Sequence, residues 1–439
     1  MPSIASTLED LNPWWHGAFQ LDYRPRQLYP EILSALKMRW AVALTGLRRV
    51  GKTTLLLKVA KDAIEAGLDP SRVVYFSFDR HRHAELGEVL REYEKLKGTH
   101  LLDGKFIIIF DEVQKAEGWE DQLKALYDRY RTQNGKVQFL ASGSESLWLR
   151  KGMRESLAGR LVELRVDPLS YREYLDFLGV RYEPLAIHQR DVERRWPSYL
   201  RSLGFPELAL PEEPGKTVVR SVVEEWVRDR ALYRDLQQIV GSVDLDVLQT
   251  LVNLVWEEPG QVLELTSLSR DIGVSRPTLA NYLWYLEATF LIRKLYNFSK
   301  NRRRSERKLK RYYPTVPSVD LVFRSDPEAR AKVLESYTAN ALRAQFFWRD
   351  PAQHEVDVVL AGPPVAPVEV KSGRVETGGL QSFMRRFGVR EGWVVSLTEE
   401  GDRKVAEGTI HVVPGHIFFF APPPGTPSLG SAPLPLHRP

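Results

Sequence analysis

Residues 46–54 read GLRRVGKTT, set between the apolar run AVALT (41–45) and a helical stretch that begins KTTLLLKVAKDAIEAG at Lys52. Glycine, four residues, then Gly-Lys-Thr between a strand and a helix is the arrangement of a phosphate-binding loop. Gly46 and Gly51 let backbone N–H groups turn inward around a β-phosphate, and the helix N-terminus adds its partial positive charge. Lys52 is placed to reach the β- and γ-phosphates, the Thr53 hydroxyl to ligate Mg²⁺, and Arg49 and Thr54 complete the loop. ATP with Mg²⁺ is the expected cofactor pair.

Outward from this loop, short apolar runs alternate with helical stretches: AVALT, RVVYFSF, KFIIIFDE, VQFLAS and LVELRV. That alternation predicts a doubly wound parallel sheet. In FIIIFDE, five apolar residues precede Asp111 and Glu112, so both acids emerge at the carboxyl end of a buried strand, on the rim where nucleotides bind. Asp111 is expected to hold the Mg²⁺ shell and Glu112 to polarise an attacking water. RVVYFSF lies between the two motifs, which suggests the subclass with an extra strand between the loop strand and the acidic strand. VQFLASGSES ends in hydroxyl residues, and Ser142, or else Ser144, is placed to hydrogen-bond the γ-phosphate or the water. Arg160 stands immediately before LVELRV, where it can serve as an arginine finger toward a neighbouring subunit or as an ordinary ion-pair partner.

The 439 residues are enough for about three domains on a prior of roughly 150 residues each. No cysteine is present, which excludes disulfides and thiolate metal sites and leaves oxygen or imidazole as metal ligands. No apolar run approaches the ~18 residues of a membrane span, and the N-terminus lacks a secretory pattern. A cytoplasmic protein without a membrane partner is expected. The formal net charge is +5, but residues 300–311 (KNRRRSERKLKR) hold eight Lys/Arg against one Glu, a local +7 that leaves −2 elsewhere. The basicity is a patch, as expected of a contact with a phosphate backbone.

LTSLSRDIGVSRPTLANYLWYLEATFLI (265–292) reads as helix, turn and helix, with Gly273 ending the first and Ser275 capping the second. Leu279, Leu283, Leu286 and Phe290 form its apolar stripe, and Arg276 lies on its exposed N-terminal face. Two β-like runs, LIRKLYNF and KLKRYYPT, flank the tip that carries Arg302, Arg303, Arg304, Arg307 and Lys308. The helix pair and hairpin predict a winged helix whose wing lies along duplex DNA. Further on, HEVDVVL and PVEVKSG are strand candidates carrying Asp357, and Glu369 with Lys371. Paired antiparallel, they would bring Asp357 and Glu369 together around Mg²⁺, with Lys371 beside them.

The set GLRRVGKTT, FIIIFDE, ASGSESLWL, SLAGRLVELRVDPLSYREY and SLGFPE resembles prokaryotic AAA+-type P-loop ATPases that end in a restriction-endonuclease-like domain. The resemblance runs from about Arg26 to Leu397, with Leu47 where relatives often have Pro. It implies an α/β chain: an AAA+ (ASCE-type) P-loop parallel sheet with a helical lid, then a winged helix and a small α/β nuclease-like domain. Asp357, Glu369 and Lys371 match the D…ExK pattern of such nucleases, and Glu335 resembles their helical acid. The expected boundaries are an arm to 25, the core at 26–170, a lid at 171–215, helices and winged helix at 216–320, the nuclease-like domain at 321–420 and a disordered Pro-rich tail from 421. Arg201 is the expected nucleotide sensor of the lid. The expected activity is ATP hydrolysis that remodels or translocates duplex or branched DNA, within a homo-oligomer such as a hexameric ring. The alternatives are a nucleotide-gated regulatory or defence switch and an ATP-regulated metal-dependent nuclease.

Overall fold

The computed structural model describes residues 3–17, 19–38, 40–81, 83–132, 136–144, 159–210, 213–236, 243–299 and 309–420. They form two compact units that divide between Asp167 and Pro168.

In the first unit, β1 (Ala41–Thr45), β2 (Val73–Ser77), β3 (Phe106–Asp111), β4 (Val137–Gly143) and β5 (Leu161–Arg165) make a parallel sheet in the order β2-β3-β4-β1-β5. Around it stand α1 (Ile4–Leu11), α2 (Tyr29–Lys37), α3 (Lys52–Glu65), α4 (Leu86–Lys97) and α5 (Trp119–Thr132). The apolar runs are continuous rather than alternating because helices cover both faces of a parallel sheet. Phe76, Phe78, Phe106, Phe110, Phe139, Tyr93 and Trp119 pack together as the core of one side. The acidic strand β3 is separated from β1 by one strand, as expected, but that strand is β4. β2, the run between the motifs in sequence, lies at the sheet edge.

The N-terminal arm, unassigned from sequence, closes that edge with side chains. Asn12 donates to Tyr75 O at 2.9 Å and accepts from Tyr75 N at 2.7 Å, while the indoles of Trp14 and Trp15 donate to Val73 O. An edge strand otherwise presents unpaired backbone groups, and here side chains satisfy them.

The second unit contains a nine-stranded sheet in the order β13-β14-β12-β11-β10-β9-β7-β8-β6. Its strands are β6 (Gln261–Leu263), β7 (Ile292–Asn297), β8 (Lys310–Pro314), β9 (Phe346–Arg349), β10 (Glu355–Leu360), β11 (Ala366–Lys371), β12 (Glu391–Ser396), β13 (Gly401–Val405) and β14 (Gly408–Pro414). Helices used below are α6 (Tyr171–Phe177), α7 (Leu185–Ser202), α8 (Leu245–Glu257), α9 (Leu265–Ile272), α10 (Arg276–Ala288), α11 (Pro327–Ala341) and α12 (Gly378–Phe387). Ser170 caps α6 in a reciprocal capping box with Glu173.

The divisions expected at 215 and 320 do not separate compact units. Tyr171, Tyr174, Trp196 and Tyr199 from the lid segment share one core with Leu334, Phe347, Val358 and Phe419. The hairpin β7/β8 also joins the C-terminal strands directly, because β7 pairs in parallel with β9. Besides β10 and β11, the strand candidates of the sequence, β9, β12, β13 and β14 complete the C-terminal part. The tail from 421 lies outside the described residues.

Candidate nucleotide site and a C-terminal carboxylate cluster

The phosphate-binding loop has the backbone its glycines allow. Gly46 has φ +137°, and a Cβ there would meet Val166 O at 2.2 Å, so no side chain fits. Gly51 (φ +94°) leads into α3, and Arg49 is also left-handed at φ +64°. Lys52 is buried and its Nζ donates to the carbonyls of Gly46 (2.9 Å) and Leu47 (2.8 Å). The loop thus holds its own ammonium over the cradle that an incoming phosphate would occupy. Arg26, which sequence reasoning passed over, braces the loop from below by donating to Val50 O (2.7 Å) and Asp167 O (2.8 Å).

Thr53 stands in the first turn of α3 and Asp111 ends β3, and the Thr53 hydroxyl donates to Asp111 Oδ2 at 2.8 Å. Two hard oxygen ligands side by side at a strand end fit Mg²⁺, which takes one or two protein oxygens and fills its shell with phosphate and water. Asp111 also receives the Tyr75 hydroxyl (2.7 Å), the Ser142 hydroxyl and the Glu112 N–H (3.2 Å). Burial, then the charge of Asp111, pushes the Tyr75 phenol far above its ordinary pKa, which keeps it a donor. Ser142 therefore faces Asp111, and Ser144 lies 3.3 Å from Gln114 Nε2.

Glu112 sits at φ +52°, an uncommon backbone for a residue with a Cβ. Its Oε2 accepts from Gln114 Nε2 at 2.7 Å and lies 3.6 Å from Lys115 Nζ. Neither Gln114 nor Lys115 was singled out from sequence, although both stand within three residues of the acid. Arg160 lies on the opposite rim of the sheet, where its carbonyl accepts from Ala41 N at the start of β1. Its side chain donates to Asp128 at 2.8 Å, and that hydrogen bond holds Asp128 below the usual carboxylate range. A γ-phosphate on the loop of its own chain is about 16 Å away along a five-residue strand.

In the second unit, α9 ends at Gly273 (φ +80°), and the Ser275 hydroxyl caps α10 by accepting from Thr278 N. Leu279, Leu283, Leu286 and Phe290 are buried and Arg276 is exposed, as expected. Arg302, Arg303, Arg304, Arg307 and Lys308 lie outside the described residues. Arg311, at the end of the basic run, points inward and leaves that patch. Arg201 lies 3.5 Å from Glu213.

Glu335 from α11, Asp357 from β10, and Glu369 and Lys371 from β11 converge. β10 and β11 are antiparallel with Val358 opposite Val368, which sets Asp357 beside Glu369, and Asp357 Oδ2 accepts from Val370 N at 2.9 Å. A register shift of β10 against β9 between Val356 and Val359 re-aims this stretch. Lys371 pairs with Glu369 at 2.6 Å. Burial, then the charge of Asp357, pushes Glu335 and Glu369 up to about 7. Arg311, Tyr313 and Glu355, not anticipated as site residues, complete the cluster. Among the described residues, no three His, Asp or Glu side chains are grouped so as to hold a metal ion.

Residues 39–175 match a family model described as an AAA domain, and residues 194–315 match one described as a domain of unknown function (DUF8612). An uncharacterized protein of Methanocaldococcus jannaschii is 25% identical over 85% of this chain and 83% of its own length. An uncharacterized protein of Haemophilus influenzae is 24% identical over 57% of this chain and 61% of its own. Among solved structures, the Aeropyrum pernix ORC1 protein in complex with DNA has 20% identity and a TM-score of 0.32, covering 70% of this chain and 94% of that one. The Thermotoga maritima RuvB Holliday junction branch migration motor has 17% identity and a TM-score of 0.29, covering 62% and 89%. At those scores neither likeness bears on function. Among the described residues no helix is long and apolar enough to cross a membrane.

Proposed function

We propose that the chain binds ATP at the loop after β1, hydrolyses it, and uses the cycle to remodel or translocate DNA, duplex or branched, gripped through its second unit. The observation that carries this reading is the Thr53–Asp111 hydroxyl–carboxylate pair beside the buried Lys52. Mg²⁺ held there would neutralise charge on the phosphates. Lys52 would exchange loop carbonyls for phosphate oxygens, and Thr53 and Asp111 would hold the metal. Glu112, released from Gln114 and Lys115, orients and deprotonates the attacking water. Ser142 keeps Asp111 and the Glu112 backbone in place. Arg160, on the far rim, serves a neighbouring subunit, which calls for a homo-oligomer, and a hexameric ring satisfies every interface alike. Arg276 and the basic tip at Arg302–Arg304, Arg307 and Lys308 supply the phosphate contacts of a winged helix.

One observation favours a second reading, a nucleotide-gated switch. Glu112 is engaged by two neighbours, a hold that must break before each turnover. The two readings separate on steady-state ATP turnover and nucleotide binding. A DNA motor turns over faster with DNA, and a switch turns over slowly and indifferently to it. Under either, Glu112→Gln binds ATP and does not hydrolyse it. Equal turnover by wild type and Glu112→Gln would refute both.

A further inference from the structure

The C-terminal carboxylates gather around a cation the chain itself supplies. Arg311, on β8, keeps only 8% of its side-chain surface and lies 3.4 Å from Glu335 Oε1 and 3.2 Å from Asp357 Oδ1, with a third ion pair to Glu355. In the sheet β7 and β9 lie between β8 and β10, and the guanidinium lies over the Phe347 ring, 5.1 Å from the centroid. The hairpin side closes over the same place. Tyr313, also on β8, donates to Glu335 Oε1 at 2.7 Å, and Gly260, just before β6, approaches so closely that a Cβ would meet that oxygen at 2.8 Å.

Both oxygens of Asp357 and one each of Glu335 and Glu369 are already engaged. Asp357 uses Oδ1 for Arg311 and Oδ2 for the Val370 N–H, Glu335 Oε1 takes both Tyr313 and Arg311, and Glu369 Oε1 takes Lys371. Glu369 Oε2 is buried with no hydrogen-bond partner among the described residues, and one such oxygen is far short of a Mg²⁺ shell. A divalent cation between Asp357 and Glu369 would share its oxygens with a guanidinium that cannot deprotonate. These residues do not fit a resident metal.

We infer that Arg311 takes the place of a divalent cation in this cluster, so that the nuclease-like arrangement is a metal-independent clasp holding β8 to α11 and β10 and does not cleave phosphodiesters. The side-chain types of a nuclease are retained, while the wing strand contributes their counter-ion. The inference is independent of the ATP reading, since it concerns only the second unit.

The test uses the full chain without nucleotide, with Mn²⁺ as the probe. Electron paramagnetic resonance and thermal melting are read with Mn²⁺ and with chelator, for wild type, Asp357→Asn, Arg311→Met and Arg311→Lys. The wild type is expected to show no bound Mn²⁺ signal that Asp357→Asn removes, and the same melting temperature with Mn²⁺ as with chelator. Arg311→Met is expected to melt several degrees lower and to regain part of that loss with Mn²⁺. If Arg311→Met does not fold, Arg311→Lys, with the charge but without the planar fork, is expected to melt lower than wild type and to stay indifferent to Mn²⁺. Bound Mn²⁺ in the wild type that is lost in Asp357→Asn would overturn the inference, as would metal-dependent DNA cleavage abolished by Asp357→Ala.

Discussion

Asp111 shows how much chemistry one carboxylate can organise. Four donors from Thr53, Tyr75, Ser142 and the Glu112 backbone converge on it, so it stays aimed at the place a metal would take. Removing one donor leaves a buried acceptor short of a partner, so Tyr75→Phe should lower unfolding stability by about 1–3 kcal/mol and leave nucleotide affinity within a few-fold. Chemical denaturation and nucleotide titration of the same sample check both parts. Lys52→Ala should lose nucleotide binding altogether, whereas Glu112→Gln should keep binding and lose about 10²–10⁴ in turnover, the usual share of a general base. The closeness of Thr53 to Asp111 was legible because both belong to short motifs whose spacing points to a shared cation. Tyr75 and Arg26 were not, because they reach the site through tertiary contacts from 36 and 24 residues away. Gln114 is local but belongs to no pattern that separates it from an ordinary surface glutamine.

Among the elements, parallel strands and helix caps were the most readable parts, since apolar continuity and capping residues are local signals. The helix–turn–helix followed from Gly273 and Ser275 for the same reason. Strand order did not follow, because β4 inserts between β1 and β3 through pairing that no local pattern encodes. Helix α9 carries an uncommon N-cap, Glu264, whose carboxylate accepts from the N–H groups of Ser267 (2.7 Å) and Thr266 (3.1 Å) and is drawn down to about 2. A depressed acid stabilises the fold above its unfolded pKa, and that contribution fades as pH falls from about 4.5 through about 2. Glu264→Gln should therefore melt lower than wild type at neutral pH, and the two should converge in acid. A constant difference across that window would contradict the assignment. At the sheet edge, Asn12→Ala leaves the Tyr75 N–H and C=O unpaired and should cost about 1–3 kcal/mol for each group so exposed. Thermal melting of the variant reads that loss.

For the whole molecule, composition and charge indicated a multidomain chain with one basic patch. Helices α6 and α7 and the hairpin β7/β8 merge with the C-terminal part because their apolar faces share one core and their strands one sheet. Periodicity within each segment cannot reveal which segments will share a core. Replacing Arg302, Arg303 and Arg304 by neutral residues should weaken DNA binding and flatten its dependence on salt, by about 0.9 in log–log slope for each phosphate no longer neutralised. Binding isotherms at several salt concentrations measure that slope.

The central claim is that nucleotide chemistry in the first unit acts on DNA held by the second. The most direct measurement is the ATP hydrolysis rate of the full chain at low ionic strength, titrated with duplex and four-way-junction DNA while particle mass is followed. The account predicts hydrolysis that rises with DNA, accompanies assembly into a larger particle, and disappears in Lys52→Ala. A rate that is zero, or unchanged by any DNA, would contradict it.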